Sequence, residues 1–594
     1  MMRSFPPLDQ LLSSMYNSFE YMKITGQETI YMTTLLKGAR IVNVFTDELL
    51  PADVLIRDNL IVGVGSYAPA DADRTVDVTG KILCPGLIDS HIHVESSMLT
   101  PAAFTRAALP HGTTTIIMDS HEIANVCGRT GLEFMLRASE GLPITMYMAL
   151  PSCVPATPFD ENGATLDAAS LRPFYNHPRV IALGEVMDYP GVIRDVPAVT
   201  DKIRDALSRH VTVNGHAPLL SGRDLDNYLS HGIDDDHECT SPDEAKERIS
   251  KGQTVMIRQG TAAQDLLALL PLFDEPWNRH CVLATDDKHP ADLLALGHID
   301  HMVRMAAENG RSPIVAIRMA SIQAARHFGL RHVGAIAPGY AADLLVLNDL
   351  DTMDVRDVYK AGVAVVSDKV TAEFAEPRLT NDMWKSVLHS FYMNTMRPEH
   401  FHLEEKSDRC RVITVTPGSL LTGCEEAKID WTRGNGVDTE RDILKLAVIE
   451  RHLKTGHIGL GLIRGLGLRR GAIAASIAHD SHNLIVVGTN EEDMALAANT
   501  VHHQAGGSVA VADGEVLAIQ ELPVAGLMSV KDAAETAAEN ENMRRVVHGE
   551  LGVPEGIEPF MHMAFVSLPV IPELKMSTMG LVDVNRQERV SLFV

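Results

Sequence analysis

From Pro85 to about residue 290 the chain repeats one rhythm eight times: a short apolar run, a polar ending, then a helix-like stretch. The runs are "GLIDSHIH", "GTTTIIMDSHE", "ITMYMALPS", "VIALGEVMD", "VTVNGHAP", "GIDDDHE", "QTVMIRQG" and "CVLATDD". Helix-like pieces such as "GLEFMLRASEG" and "VTDKIRDALSRH" separate them. Strands that alternate with helices pair in parallel, and eight such units in about 240 residues predict an α/β fold, a closed (β/α)8 TIM barrel.

The text on either side reads differently. "LLKGARIVNVFT", "ADVLIRDNLIVGVG" and "RTVDVTGKILCPG" alternate apolar residues with turn residues between them, and the same style returns in "GAIAPGYAADLLVLNDLDTMDVRDVYKAGVAVV". We expect one β-sandwich module built from 31–84 and 331–370, flanking a barrel over 85–330. Residues 1–30 read as an N-terminal extension, the polar stretch 371–408 as a linker, and 409–594 as a separate α+β domain.

Charge and cysteine content limit the function classes. Lys and Arg number 52 against 78 Asp and Glu, a net charge of −26. No basic patch or polybasic run is present, so nucleic acid and anionic membranes are poor partners, whereas metal cations and neutral ligands suit the chain. The seven cysteines are scattered without a C-x-x-C, which fits a reducing cytoplasm. No apolar window is long enough for a membrane helix.

In a barrel the chemistry sits at the C-terminal ends of strands. Those ends carry His91 and His93, then Asp119, His121 and Glu122, then Glu185, His216, His237 with Glu238, and Asp286 with Asp287. His91 and His93 are two apart on a strand, so both imidazoles face one side and can converge on a cation. An isolated H-x-H is a weak signal. Acids or imidazoles at five further strand ends make it one corner of a metal site.

The same residues carry a resemblance. "PGLIDSHIHVESS", followed by Glu185, His216, His237 and Asp286 on successive strands, resembles the amidohydrolase superfamily. Within it, "DSHEIANVCG", "LPSCVPATPFD", "GEVMDYPGV", "NGHAPLLSGRDLDNYLSHGIDDDHECTS" and "RQGTAA" are similar to the adenine deaminase family. "RGLGLRRGAIAASIAHDSHNLIVVGTN" is similar to that family's additional domain.

The resemblance implies two divalent metal ions. His91 and His93 would hold one, with Asp286 closing it; His216 and His237 would hold the other; Glu185 would bridge both. No lysine stands in "ALGEVMD", in keeping with a carboxylate bridge. Mixed imidazole and carboxylate ligands suit Mn2+, Fe2+ or Zn2+, with the first two favoured. The implied reaction is hydrolytic deamination of adenine to hypoxanthine and ammonia by a metal-bound hydroxide, a step of purine salvage. Asp286 would shuttle the proton, and Glu122 is the expected second acid/base. His121 is open to three roles: ligand, substrate contact or packing. Arg258 and Gln259, ending the seventh strand, are candidates for the purine edge. A homodimer or larger assembly is expected from the family.

Other residues have blander readings. Asp236 is expected to orient a ligand histidine. "GLGLIRGLGLRRG" at Gly459–Gly471 fails both nucleotide-loop patterns and reads as a Gly-rich turn. His479–Asn483, "HDSHN", is open to a lid, a further metal site or plain structure. Two rival functions remain at this level. A cyclic-amide hydrolase of the dihydroorotase or hydantoinase kind commonly shows lysine where Glu185 stands. A metal-free scaffold would have lost ligands, and none is missing here.

Overall fold

The computed structural model describes residues 32–594 apart from positions 420 and 433. The extension expected over 1–30 lies outside the described residues. Five strands come first: β1 (Thr33–Asn43), β2 (Glu48–Arg57), β3 (Leu60–Gly65), β4 (Arg74–Asp77) and β5 (Ile82–Pro85).

Eight parallel strands follow: β6 (Leu87–Ile92), β7 (Thr113–Asp119), β8 (Thr145–Leu150), β9 (Val180–Val186), β10 (Thr212–Gly215), β11 (Asp235–Asp236), β12 (Thr254–Arg258) and β13 (Cys281–Ala284). They pair in chain order, β6 to β10 as one sheet and β11 to β13 as another. Backbone bonds join the two pieces at both seams. Asp234 N donates to Val213 O at 2.9 Å, and Asp286 N donates to His91 O at 3.0 Å. The parallel sheet therefore curls until its first and last strands meet.

Burial explains the near-continuous apolar text of these strands. β6 and β7 are buried along their whole length, as expected where both faces of a parallel sheet are covered. Ile88, Ile117, Ala149, Ala182, Met256 and Val282 pack together on the inner face. Their strand neighbours Ile116, Met118, Met148, Ile257 and Leu283 join the larger core that holds Phe104, Phe134 and Met302 from surrounding helices. Period 2 divides each strand between these two cores.

The chain then returns through β14 (Leu344–Leu347), β15 (Val355–Lys360), β16 (Val363–Ser367) and β17 (Val370–Thr371). β14 pairs with β5, so both chain segments flanking the eight-stranded unit feed one nine-stranded sheet.

A further sheet of eight strands begins at β18 (Arg409–Val415) and takes in β19 (Thr422–Lys428), β20 (Leu444–Ile449), β21 (Ile458–Arg464), β22 (Ala472–Ala475), β23 (Leu484–Gly488), β24 (Gly507–Ala512) and β25 (Glu515–Glu521). Alternate residues of β20 serve opposite faces. Leu444, Leu446 and Val448 face a core with Met543 and Val547 of the helix Ala533–Gly549. Ala447 and Ile449 face a core with Met494 and Val501 of the helix Glu491–His503.

Two expectations change in detail. The stretch read as a linker carries the helix Asn381–Leu388, and its Phe391, Met393, Met396 and Phe401 are buried in the core beside Ala447. The Gly-rich segment is strand rather than turn at its start. Gly459 and Gly461 lie in β21, where a Cβ would stand 1.9 Å from Ser577 O and 2.3 Å from Met576 Cε respectively. At Gly459, where the opposing atom is backbone, glycine is needed for close packing.

Candidate metal centre and active site

The C-terminal ends of the eight strands bring the sequence-predicted residues to one buried cluster. Glu185, near the end of β9, lies at its middle. Its Oε1 is 3.2 Å from His93 Nε2 and 3.8 Å from His91 Nε2, both on or just after β6. Its Oε2 is 2.6 Å from His216 Nδ1 and 3.2 Å from His237 Nε2, just past β10 and β11. Asp286 Oδ1 closes the first side, 3.0 Å from His93 Nε2 and 3.5 Å from His91 Nε2. One carboxylate thus offers one oxygen to each histidine pair.

Local structure sets these directions. Asp286 follows β13 with φ of 60°, an uncommon value for a non-glycine residue, which turns the chain at the strand end. Asp89 ties β6 to the residue before it: its Oδ1 accepts from Thr285 N at 3.1 Å and from His91 N at 3.2 Å. Asp119 Oδ2 accepts from Glu185 N at 2.9 Å. That approach needs Gly184, where a Cβ would stand 2.0 Å from the same oxygen. His93 Nδ1 lies 3.0 Å from Asp119 O, which leaves Nε2 for the cluster.

The donor set fits divalent cations. His91, His93 and Glu185 converge closely enough to hold one ion, as do Glu185, His216 and His237, and as do His91, His237 and Asp286. His91 Nε2 is buried with no hydrogen-bond partner among the described residues, an orphan that a ligand bond would satisfy. Burial works against charge on Glu185, yet His216, His237 and His93 hold its carboxyl well below the usual range. Burial likewise opposes charge on Asp286, and His91, His93 and Arg258 hold it low. Both oxygens therefore stay anionic, as ligands must.

The remaining predicted residues divide. β7 stops at Asp119 and a helix begins at His121, so His121 and Glu122 can both face the site. His121 Nδ1 is 3.5 Å from Glu185 Oε1, and Glu122 lines the cavity above the cluster. Arg258 also lines it, but three carboxylates hold its guanidinium: Glu238, Asp286 at 3.0 Å and Asp265 at 3.1 Å. Gln259 is not among the cavity-lining residues. Asp236 corrects an expectation. Its carboxylate accepts from Ala217 N at 2.9 Å and Glu238 N at 2.8 Å and pairs with Arg248 at 3.3 Å, so it orders backbone rather than an imidazole.

Sequence reasoning named Glu238 at its strand end without giving it a role; its Oε1 lies 3.4 Å from His237 Nε2. It left His479 and Asp480 open, and both line the cavity, with Phe565, Leu568 and Ile571 from the same C-terminal region. His479 Nδ1 lies 3.1 Å from Glu122 Oε1. The inner cavity, about 50 Å3, adjoins a chamber of about 310 Å3, and Asp287, His479 and Phe565 border both.

A curled parallel sheet with histidines and acids gathered at its strand ends defines a class of metal-dependent hydrolases, and residues 82–365 match the model of the amidohydrolase family. Residues 419–588 match the adenine deaminase C-terminal domain. "Adenine deaminase 2" of Carboxydothermus hydrogenoformans is 45% identical over 93% of this chain and 95% of its own length. The adenine deaminase of Desulfatibacillum aliphaticivorans is 44% identical over 94% and 97%, and that of Geobacillus kaustophilus 42% over 93% and 95%. The chain belongs to the adenine deaminase family.

Proposed function

We propose that this chain deaminates adenine hydrolytically, giving hypoxanthine and ammonia, within a closed (β/α)8 barrel of residues 85–330. The flanking β-module over 31–84 and 331–370 and the α+β domain over 409–594 complete it. The observation that carries the reading is Glu185, with Oε1 toward His91 and His93 and Oε2 toward His216 and His237. His91, His93 and Asp286 would hold one divalent ion, His216 and His237 the other, and Glu185 both, with Mn2+ or Fe2+ favoured by this donor set. When bound, such ions lower the pKa of water toward neutrality and so make a nucleophile available.

The protein groups do the rest. Water adds to C6 of the purine as the π pair of the N1=C6 double bond moves onto N1, the σ bond staying intact. Asp286 takes one proton of the water and passes it to the amino nitrogen, while the Glu122 carboxylate, anionic at rest beside His479, takes the other from the hydroxyl on C6 and passes it to N1. The C6–N bond then breaks and ammonia departs. Arg258, held between Glu238 and Asp286, fixes the orientation of Asp286. Phe565, Leu568 and Ile571 supply an apolar roof that keeps bulk water out.

The test is ammonia release from adenine, hydantoin and dihydroorotate by the metal-loaded protein. We expect ammonia and hypoxanthine in equal amounts from adenine alone. Ring opening of the cyclic amides without reaction of adenine would replace this reading with its rival.

A further inference from the structure

The loop His479–Asn483 is remote in sequence from every strand-end residue, yet it forms one wall of the site. His479 Nδ1 lies 3.1 Å from Glu122 Oε1, and Ser96 Oγ donates to the same oxygen at 3.0 Å. Among the described residues neither bond involves Glu122 Oε2, and Glu122 borders the inner cavity. One carboxylate oxygen is therefore anchored twice while the other is left for a substrate.

His479 is itself fixed. Its ring stacks on Phe565 with centroids 4.5 Å apart and planes 25° apart. Its backbone N donates to Ala564 O at 2.8 Å. Burial opposes a charge on the imidazole, but Glu122 raises its pKa to about 9, so the contact is an ion pair shielded from water. The loop is fastened to the barrel at its far end too, where Asn483 Nδ2 donates to Glu161 O at 2.8 Å.

We propose that His479 is a positioning residue for the deamination step: it holds Glu122 so that the free carboxylate oxygen meets the purine ring. This rests on the adenine reading above and deepens it. It makes the C-terminal domain a working part of the active site. The physical reason is orientational. Glu122 opens a helix and has rotamers that would turn its carboxylate away, and a misplacement of about 1 Å can cost about 100-fold in rate.

The experiment compares the full-length, metal-loaded wild type with His479→Ala and His479→Gln, measuring metal content, kcat and KM for adenine. We expect His479→Ala to keep its metal and a KM within about threefold while kcat falls about 100-fold. His479→Gln, whose amide N–H can reach the same oxygen, should recover about tenfold of that loss. A His479→Ala kcat within about threefold of wild type overturns the proposal. So does loss of a metal equivalent in either variant, which would make Glu122, His479 and His482 a cage for a further ion. Should the alanine variant fail to fold, a folded His479→Gln with kcat as low as that of Glu122→Gln counts against the hydrogen bond as the cause. A wild type inactive on adenine overturns the parent reading; an active wild type with an unaffected variant overturns this inference alone.

Discussion

Glu185 shows what a single side chain must do here. Its two oxygens face different histidine pairs, and an amide would replace one of them with a group that cannot ligate. Glu185→Gln is therefore expected to lose most bound metal and nearly all ammonia release, read by metal analysis beside activity. Full activity would show that the bridge lies elsewhere. Glu122 pairs with His479 Nδ1 at 3.1 Å, and the proposed role for its carboxylate is to relay a proton rather than to ligate. Glu122→Gln should lower kcat about 100-fold with metal content unchanged, and equal loss of both would make it a ligand. The clustered residues were legible because each stands at or just past a strand end and the acid or imidazole recurs from strand to strand. Asp236 was misread for a related reason. It precedes His237 in sequence, but its carboxylate serves Ala217 N, Glu238 N and Arg248 instead.

Strand spacing carries the next level. β7 and β9 are both buried, and Asp119 reaches Glu185 N only because Gly184 has no Cβ. Gly184→Ala is expected to displace Asp119, destabilise the fold by about 1–3 kcal/mol and reduce metal retention, measured by thermal unfolding and metal content. Unchanged stability and metal content would mean that Asp119 has room to move. The helix Ala533–Gly549 starts from Asp532, whose side chain accepts from Glu535 N at 2.8 Å. Asp532→Ala should cost about 1 kcal/mol in denaturant unfolding, and no change would assign that helix end to tertiary packing. Element types could be read where a near-continuous apolar run recurs in the strand–helix rhythm, as in β6, β7 and β12. β11 spans only Asp235–Asp236, so its identity came from position in the repeat rather than from pattern. The glycines of β21 spoke for a turn because their cause, the close approach of Ser577 and Met576, lies more than a hundred residues away.

Across the whole molecule, the C-terminal domain closes over the strand ends. Ser529 N donates to Met98 O at 2.8 Å and Ala525 N to Val387 O at 2.7 Å, while Val524, Leu527 and Met528 are buried in the same core as the barrel helices. Its family could be recognised from sequence, but its contribution to the cavity stood only as one of three open readings of His479–Asn483. His479 meets Glu122, and Phe565 meets His479, only through tertiary packing, which no local spacing records. Metal binding to a site assembled from five strands should stabilise the fold by mass action, so chelation is expected to lower Tm as well as activity. An unchanged Tm after complete removal of metal would mean that the site holds its shape without ions.

The most direct test of the two-ion centre is a titration of metal-stripped protein with Mn2+, following ammonia release from adenine. A site bridged by Glu185 predicts activity that rises until two equivalents per chain are bound and then stays level. Full activity at one equivalent, or none at any loading, would contradict it.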